Sequence, residues 1–338
     1  MDKLTTRDIA RLAGVSPTAV SFALNDKPGI SEETRRHIWD IIEKTGYQPV
    51  TRVLNVREPL HFNRIAVIFR DDIRPIDRLF YTELNTSVML ACSDSGYDMV
   101  FTHLKLKDGK VQMPEIIRTR SVDGVLVYGD IHSEITRQLH AMELPVVELD
   151  SSRRYPGQVA VSPDYCTAAY TAVRHLLSLG HKDIVYIGND ELHDFNLQTF
   201  TGFQRAATEA GLSLDMSRIQ INIRDEASLH AAVDGILSGG VLPTAFFCAT
   251  DLYAVHTMQH LHQRGIRVPQ DVSVVGIDDT IISRFTIPAL TTVRIDREEL
   301  GRRGFEVLSA MIAGEKRESV TLPSSDLVVR ESTAAPAR

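Results

Sequence analysis

From Arg64 onward the chain alternates between short apolar runs and helical patterns, and this alternation constrains its fold more than any other feature. Strand candidates are RIAVIF (64–69), YDMVFT (97–102), DGVLVY (123–128), PVVELD (145–150), QVAVS (158–162), DIVYIG (183–188), RIQINI (218–223), TAFFCA (244–249) and VSVVGI (272–277). Helical spacing fills most intervals, at about 78–95, 132–142, 164–179, 200–210, 226–238, 251–264 and 297–313. Short strands that are apolar throughout need cover on both faces, the habit of parallel sheets flanked by helices. So many units point to two doubly wound α/β lobes rather than one. No G-x-G-x-x-G and no P-loop occurs, so a nucleotide fingerprint is missing.

The first ~50 residues read as three short helices, a small all-α head. Thr5-Thr6-Arg7-Asp8 fits a capping box, with Ile9, Leu12 and Ala13 on one face and Gly14 at the end. Ser16 caps a second helix that Pro17 opens, and Val20, Ala23 and Leu24 share its inner face. Thr18, Ser21 and Phe22 lie away from that face. Ser31 caps a third helix carrying Ile38, Ile41 and Ile42. Two helices, a tight turn and a capped second helix make a helix-turn-helix, whose second helix enters the major groove of DNA.

The run TTRDIARLAGVSPTAVSFALNDKPGISEETRRHIWDIIEKTGYQP resembles the head of the LacI/GalR family of bacterial transcription regulators. The resemblance continues through VDGVLV (122–127), DYCTAAYTAVRHLLSLGHKDIVYIG (164–188), VPQDVSVVGIDD (268–279) and PALTTVRIDREELGRRGFEVL (288–308). It implies a helix-turn-helix head at 1–48, a hinge at 49–61 and a two-lobed, periplasmic-binding-protein-like body. One lobe is expected from 62–161 with 292–321, the other from 162–291 with 322–338. In the head, Thr5, Ser16, Pro17, Thr18, Ser21 and Phe22 match positions that touch DNA, with Asn25 near the backbone. Phe22 departs from the basic or polar residue of many relatives: it can meet a thymine methyl but not a guanine edge, or it can pack on the third helix. Arg7, Lys3 and Arg35 are expected on phosphates, which position rather than specify. In the hinge, VTRVLNVREPLHF replaces the usual pattern, leaving Leu54 or Val56 as the apolar minor-groove wedge, or else a plain linker.

Ligands of open α/β sheets bind beyond the carboxyl ends of strands, and two facing lobes make one cleft of those ends. That rule nominates Asp72, Asp130, Thr250 and Asp278, with Asp251 as either ligand contact or helix cap and Asp279 as a holder of loop backbone. The resemblance adds Phe80 and Tyr81 as an aromatic pair against the effector, and Asp164 with Thr250 and Asp278 as contacts. Thr199 stands where relatives often carry a ligand-holding arginine, so the effector class does not transfer directly. A sugar or sugar derivative leads, ahead of a nucleoside, polyol or other metabolite.

Charge is uneven. Residues 1–57 carry nine Lys/Arg against seven Asp/Glu, a net +2, while the whole chain is −7, which leaves −9 on the body. A basic head on an acidic body suits a DNA partner. The chain has no apolar run long enough for a membrane span and no secretion signal, so a cytoplasmic protein is expected. Cys92, Cys166 and Cys248 show no disulfide or zinc spacing. His256 and His260 are four apart, but without H-E-x-x-H they read as a solvated helix face, and no metal or cofactor is expected. No nucleophile elbow is present, so an enzyme is not expected. The reading is a ligand-responsive regulator, a repressor that binds a near-palindromic operator as a homodimer. The alternatives are a solute-binding protein without DNA activity and a sugar-modifying enzyme.

Overall fold

The computed structural model describes residues 5–24, 28–45, 47, 61–69, 78–107, 110–129, 133–151, 157–189, 194–323 and 326–337. The chain divides into two compact units, Met1–His61 and Phe62–Arg338. The head holds α1 (Thr6–Leu12), α2 (Pro17–Leu24) and α3 (Glu32–Thr45) around Ile9, Ala10, Ala13, Val20, Ala23, Leu24, Ile38 and Ile42. The capping box forms as its residues dictate, with the Thr5 side chain accepting from Asp8 N while Asp8 accepts from Thr5 N. Leu12 departs from the expected face. It is 53% exposed, and Ala10 takes the inner position beside Ile9.

In the body, the first stretch runs β1 (Arg64–Phe69), α4 (Arg78–Asp94), β2 (Asp98–His103), an antiparallel pair β3 (Lys105–Lys107) and β4 (Lys110–Gln112), and α5 (Glu115–Arg118). It continues through β5 (Gly124–Tyr128), α6 (Ser133–Ala141), β6 (Val146–Leu149) and β7 (Ala160–Pro163). Next come α7 (Tyr165–Ser178), β8 (Ile184–Ile187), α8 (Asp194–Glu209), β9 (Ile219–Gln220), α9 (Glu226–Ser238), β10 (Ala245–Cys248), α10 (Asp251–Gln263) and β11 (Ser273–Asp278). The chain ends with β12 (Thr291–Arg294), α11 (Arg297–Ile312), β13 (Val320–Leu322) and β14 (Leu327–Val328). One sheet has the order β13-β7-β6-β5-β1-β2, all parallel; the other is β14-β12-β11-β10-β8-β9, with only β14 antiparallel. Inner strands such as β5 and β6 are buried at every residue, as the unbroken apolar runs require.

The chain passes between sheets after β7, after β12 and after β13, a few residues beyond each expected boundary. The break expected at 291/292 falls inside β12, which pairs with β11 through Arg294. Likewise β7 stays in the first sheet to Pro163, where it pairs with Leu322 of β13. The sequence TTVR hides β12, because its buried threonines are polar. They sit in the interior only because Thr292 donates to Asp251 and the Thr291 hydroxyl shares a bond with Thr333. Helix α8 begins at Asp194, six residues before the expected start.

Helices α7 and α8 pack closely across Gly202, where an added Cβ would lie 2.2 Å from the Cys166 carbonyl oxygen. Backbone cannot yield as a flexible side chain does, so Gly202→Ala must push the helices apart. It is expected to lower body stability by about 1–3 kcal/mol, read as a lower urea midpoint. Gly235→Ala on α9, whose Cβ would meet nothing within 4 Å, is expected to leave stability unchanged or raise it.

Candidate functional site

The head presents one uncharged helix face. The Ser16 hydroxyl accepts from Ala19 N at 3.1 Å and so fixes the start of α2. Pro17 and Thr18 are exposed beside it, while Ser21 and Phe22 are half-buried. The Phe22 ring lies over Gly29, where a Cβ would come within 2.8 Å of it, and Gly29 holds φ +125°. Phe22 therefore packs on the loop before α3 as well as bordering the open face. Arg7 is exposed. Arg35 is not a free cation: its side chain is only 15% exposed, and Nη1 donates to the Phe22 carbonyl at 3.1 Å. It satisfies a carbonyl in the last turn of α2, so part of the guanidinium expected on DNA phosphate is engaged within the head. Thr5 likewise spends its hydroxyl on the capping box. Asn25, Leu54 and Val56 lie outside the described residues.

In the body, three side chains converge at the carboxyl end of β6. Asp150 accepts from Tyr81 Oη at 2.9 Å through one oxygen and from Tyr165 Oη at 2.6 Å through the other. Tyr81 belongs to α4, while Tyr165 opens α7 and leads into the other sheet, so this carboxylate ties the two lobes together. Burial and the Asp150 charge push the Tyr165 hydroxyl well above its ordinary range, keeping it a donor. Tyr81 stacks on Tyr128 at 5.7 Å, and Tyr165 meets Phe195 edge-on at 4.6 Å. The result is an aromatic surround for one carboxylate.

A second tie runs through Arg297 at the start of α11. Its guanidinium donates to the carbonyls of Asp278, Asp279 (3.0 Å) and Ile295 (3.2 Å) and pairs with Glu83 of α4. Phe80 lies 5.6 Å from the same guanidinium, over its ring face. Asp278 and Asp279 hold φ of 123° and 51°, a left-handed path that non-glycine residues keep only when surroundings enforce it. Those surroundings are Arg297 on the backbone and, on the Asp279 carboxylate, Arg330 and Arg294. Burial opposes ionisation of Asp279, but the two arginines outweigh it and hold its carboxyl below the usual range.

The nominated cleft residues divide. Tyr81 and Asp278 stand where the lobes are tied, and Phe80 forms a buried wall beside them. Asp164 and Thr250 are spent as helix caps: Asp164 accepts from Thr167 N and Oγ1, and Thr250 accepts from Tyr253 N. Thr199 is fully buried, shares a 3.0 Å bond with Tyr186 Oη and belongs to the core of the second lobe rather than the cleft. Asp72 and Asp130 lie outside the described residues. Asp251 neither caps nor faces the cleft: it is buried and holds Thr280 and Thr292. Two residues were missed. Asp150 obeys the strand-end rule and was legible in PVVELD; Tyr165 gives no local signal.

The signature described as bacterial regulatory proteins, lacI family, matches residues 5–50, and that of a periplasmic binding protein-like domain matches residues 173–333. The HTH-type transcriptional repressor PurR of Actinobacillus pleuropneumoniae serotype 3 is 30% identical over 322 residues, 93% of each chain. The HTH-type transcriptional regulator DegA of Bacillus subtilis is 29% identical over 341 residues, 98% of each chain. Among solved structures, the transcriptional regulator CelR–cellobiose complex superposes with a TM-score of 0.68 at 26% identity, covering 98% of this chain and 100% of the other. The lac repressor dimer bound to operator and the anti-inducer ONPF gives a TM-score of 0.70 at 23% identity, covering 99% and 100%, and so shares the fold.

Burial raises the Asp251 carboxyl from 3.8 to about 7, against the bonds from Thr292 and Thr280 that pull it down. Between these values the folded chain keeps a proton that the unfolded chain has released. This group's contribution to stability therefore falls as pH rises to about 7 and is level above it. Asp251→Asn cannot titrate there. The stability of the parent relative to Asp251→Asn is expected to drop as pH rises from about 5 to 8, measured by urea midpoints.

Proposed function

The chain belongs to the LacI family of bacterial regulatory proteins, and on that footing we propose that it is a transcriptional repressor whose hold on operator DNA is set by a small molecule bound between the lobes. The observation that carries this reading is the pairing of a helix-turn-helix having an open, uncharged α2 face with a body whose lobes meet through Asp150. Pro17, Thr18, Ser21 and the edge of Phe22 read base edges, while Arg7 and backbone N–H groups position the head on phosphates. Phe22 favours an apolar contact such as a thymine methyl, and its packing on Gly29 fixes the angle of that contact.

A second copy completes the reader, since a two-fold dimer matches a near-palindromic operator. Exposed apolar side chains support this assembly: Ile287 is 98% exposed and Phe285 77%, and Met89 and Leu90 lie open on α4. Exposed apolar side chains that gather in one patch mark an interface, and Phe285 and Ile287 are two residues apart.

The effector is a sugar or sugar derivative. The aromatic surround of Asp150, with Asp278 nearby, suits hydroxyl donors over an apolar ring face. Ligand hydroxyls compete with Tyr81 and Tyr165 for the Asp150 carboxylate, so ligand affinity differs between lobe arrangements. That difference is what shifts the DNA-competent population, by a coupling on the order of 1–3 kcal/mol.

Deleting residues 1–61 is expected to abolish binding to DNA upstream of the chain's own gene while leaving ligand-induced thermal shifts of the body intact. Full-length binding is expected to weaken steeply with salt. DNA binding by the truncated body, or none by the full chain across candidate ligands, would refute the reading. The double change Phe285→Glu with Ile287→Glu is expected to give a monomer in sedimentation and to weaken operator binding by about tenfold or more, since one head loses the help of the other.

A further inference from the structure

Helices α9 and α10 lie side by side in the second lobe, and their facing surfaces bring together residues far apart in sequence. Glu226 and His230, one turn apart on α9, meet His256 of α10. Glu226 Oε1 lies 3.7 Å from His230 Nε2 and 3.8 Å from His256 Nδ1. The three atoms all lie within 4.8 Å of one another. Both imidazole nitrogens are shut off from solvent and have no hydrogen-bond partner among the described residues. A buried polar atom without a partner is costly, and here two point at one carboxylate.

We propose that Glu226, His230 and His256 form a binding site for a divalent transition metal of the zinc class, which clamps α9 to α10. The separations suit a metal at this point. A zinc ion with bonds of about 2.1 Å would see ligands 3.7 Å apart at an angle of about 124°, within reach of tetrahedral coordination after small ring rotations.

The donor set fixes the class of ion. Two imidazoles and one carboxylate suit zinc, nickel or cobalt, whereas magnesium and calcium require oxygen donors throughout. The amino ends of both helices are close and oppose a cation, and the Glu226 carboxylate offsets them. Supporting residues hold the ligands in place. His260 stacks on the His230 ring with centroids 4.1 Å apart, and its own Nε2 is bonded to Asp234 at 2.8 Å. Asp234 in turn pairs with Arg264, so the carboxylate that holds the ring behind His230 is itself fixed. Glu226 is 56% exposed, which leaves an entry path and an open coordination position for solvent. His256 and His260 lie one turn apart, yet they do not form the metal-binding pair: the partner of His256 comes from the neighbouring helix.

The test uses the full-length chain stripped with chelator and titrated with zinc chloride by calorimetry, with thermal melting in parallel. One zinc per chain is expected, with a rise in melting temperature, and cobalt is expected to give the visible bands of four-coordinate geometry. Loss of even an outer partner of a metal ligand weakens affinity by 10–100-fold, so His230→Gln and His256→Gln are each expected to weaken zinc by about 100-fold or more. Glu226→Gln, a change at a half-exposed side chain that leaves folding intact, is expected to weaken it by about tenfold or more. His140→Gln on the exposed face of α6 is expected to change nothing. Undiminished zinc binding in the His230, His256 and Glu226 variants overturns the proposal, as does equal binding of magnesium or the absence of stoichiometric zinc in the parent chain.

Discussion

The body depends on one buried guanidinium. Arg297 sits at the first residue of α11, where a helix dipole opposes a cation, and it is almost wholly enclosed. Its position is tenable because every one of its nitrogens has an acceptor: Glu83 on α4 and the carbonyls of Asp278, Asp279 and Ile295. Such a charge contributes less to raw stability than to uniqueness, since its desolvation offsets much of its attraction, but removing one partner leaves an uncompensated ion. The same group joins α4 of the first lobe to the left-handed turn after β11 of the second. Phe80 on one side and Glu83 on the other keep it from swinging out to solvent. The relation between lobes, on which any ligand must act, is therefore set by polar atoms that have few alternative partners.

Most of the fold was legible because parallel strands buried on both faces write themselves as apolar runs. What escaped had a physical reason. β12 is made of threonines whose hydroxyls are satisfied by Asp251 and by the C-terminal segment, so a polar string occupies a core position. β13 and β14 are short edge strands with half-buried side chains, and edges carry little pattern. Leu12 follows the helical period of its neighbours yet faces outward, since the period alone does not say which of two adjacent rows meets the core.

The site was legible only in part, and the strand-end residues share one competition. A residue at the end of a strand that a helix follows at once is also that helix's cap. Asp164 and Thr250 each satisfy a backbone N–H group at a helix start. Asp150 also ends a strand, but no helix starts at Ser151, so its carboxylate stays available to Tyr81 and Tyr165. Arg35 shows a similar double demand in the head, where one of its nitrogens bonds a carbonyl of α2. Contacts between residues distant in the chain, such as His256 with Glu226, have no local signature at all.

The three passages of the chain between sheets have a consequence for synthesis. A growing chain that has reached residue 290 already contains β1 through β11 but not α11 or β13. The first lobe then lacks its edge strand and the helix that covers Leu84, Val88 and Leu149. Its apolar face stays open while most of the second lobe is made, an interval in which chaperones or misassembly compete for that surface. The lobe that starts first is thus closed only after most of the other has been made, and β14 then completes the second.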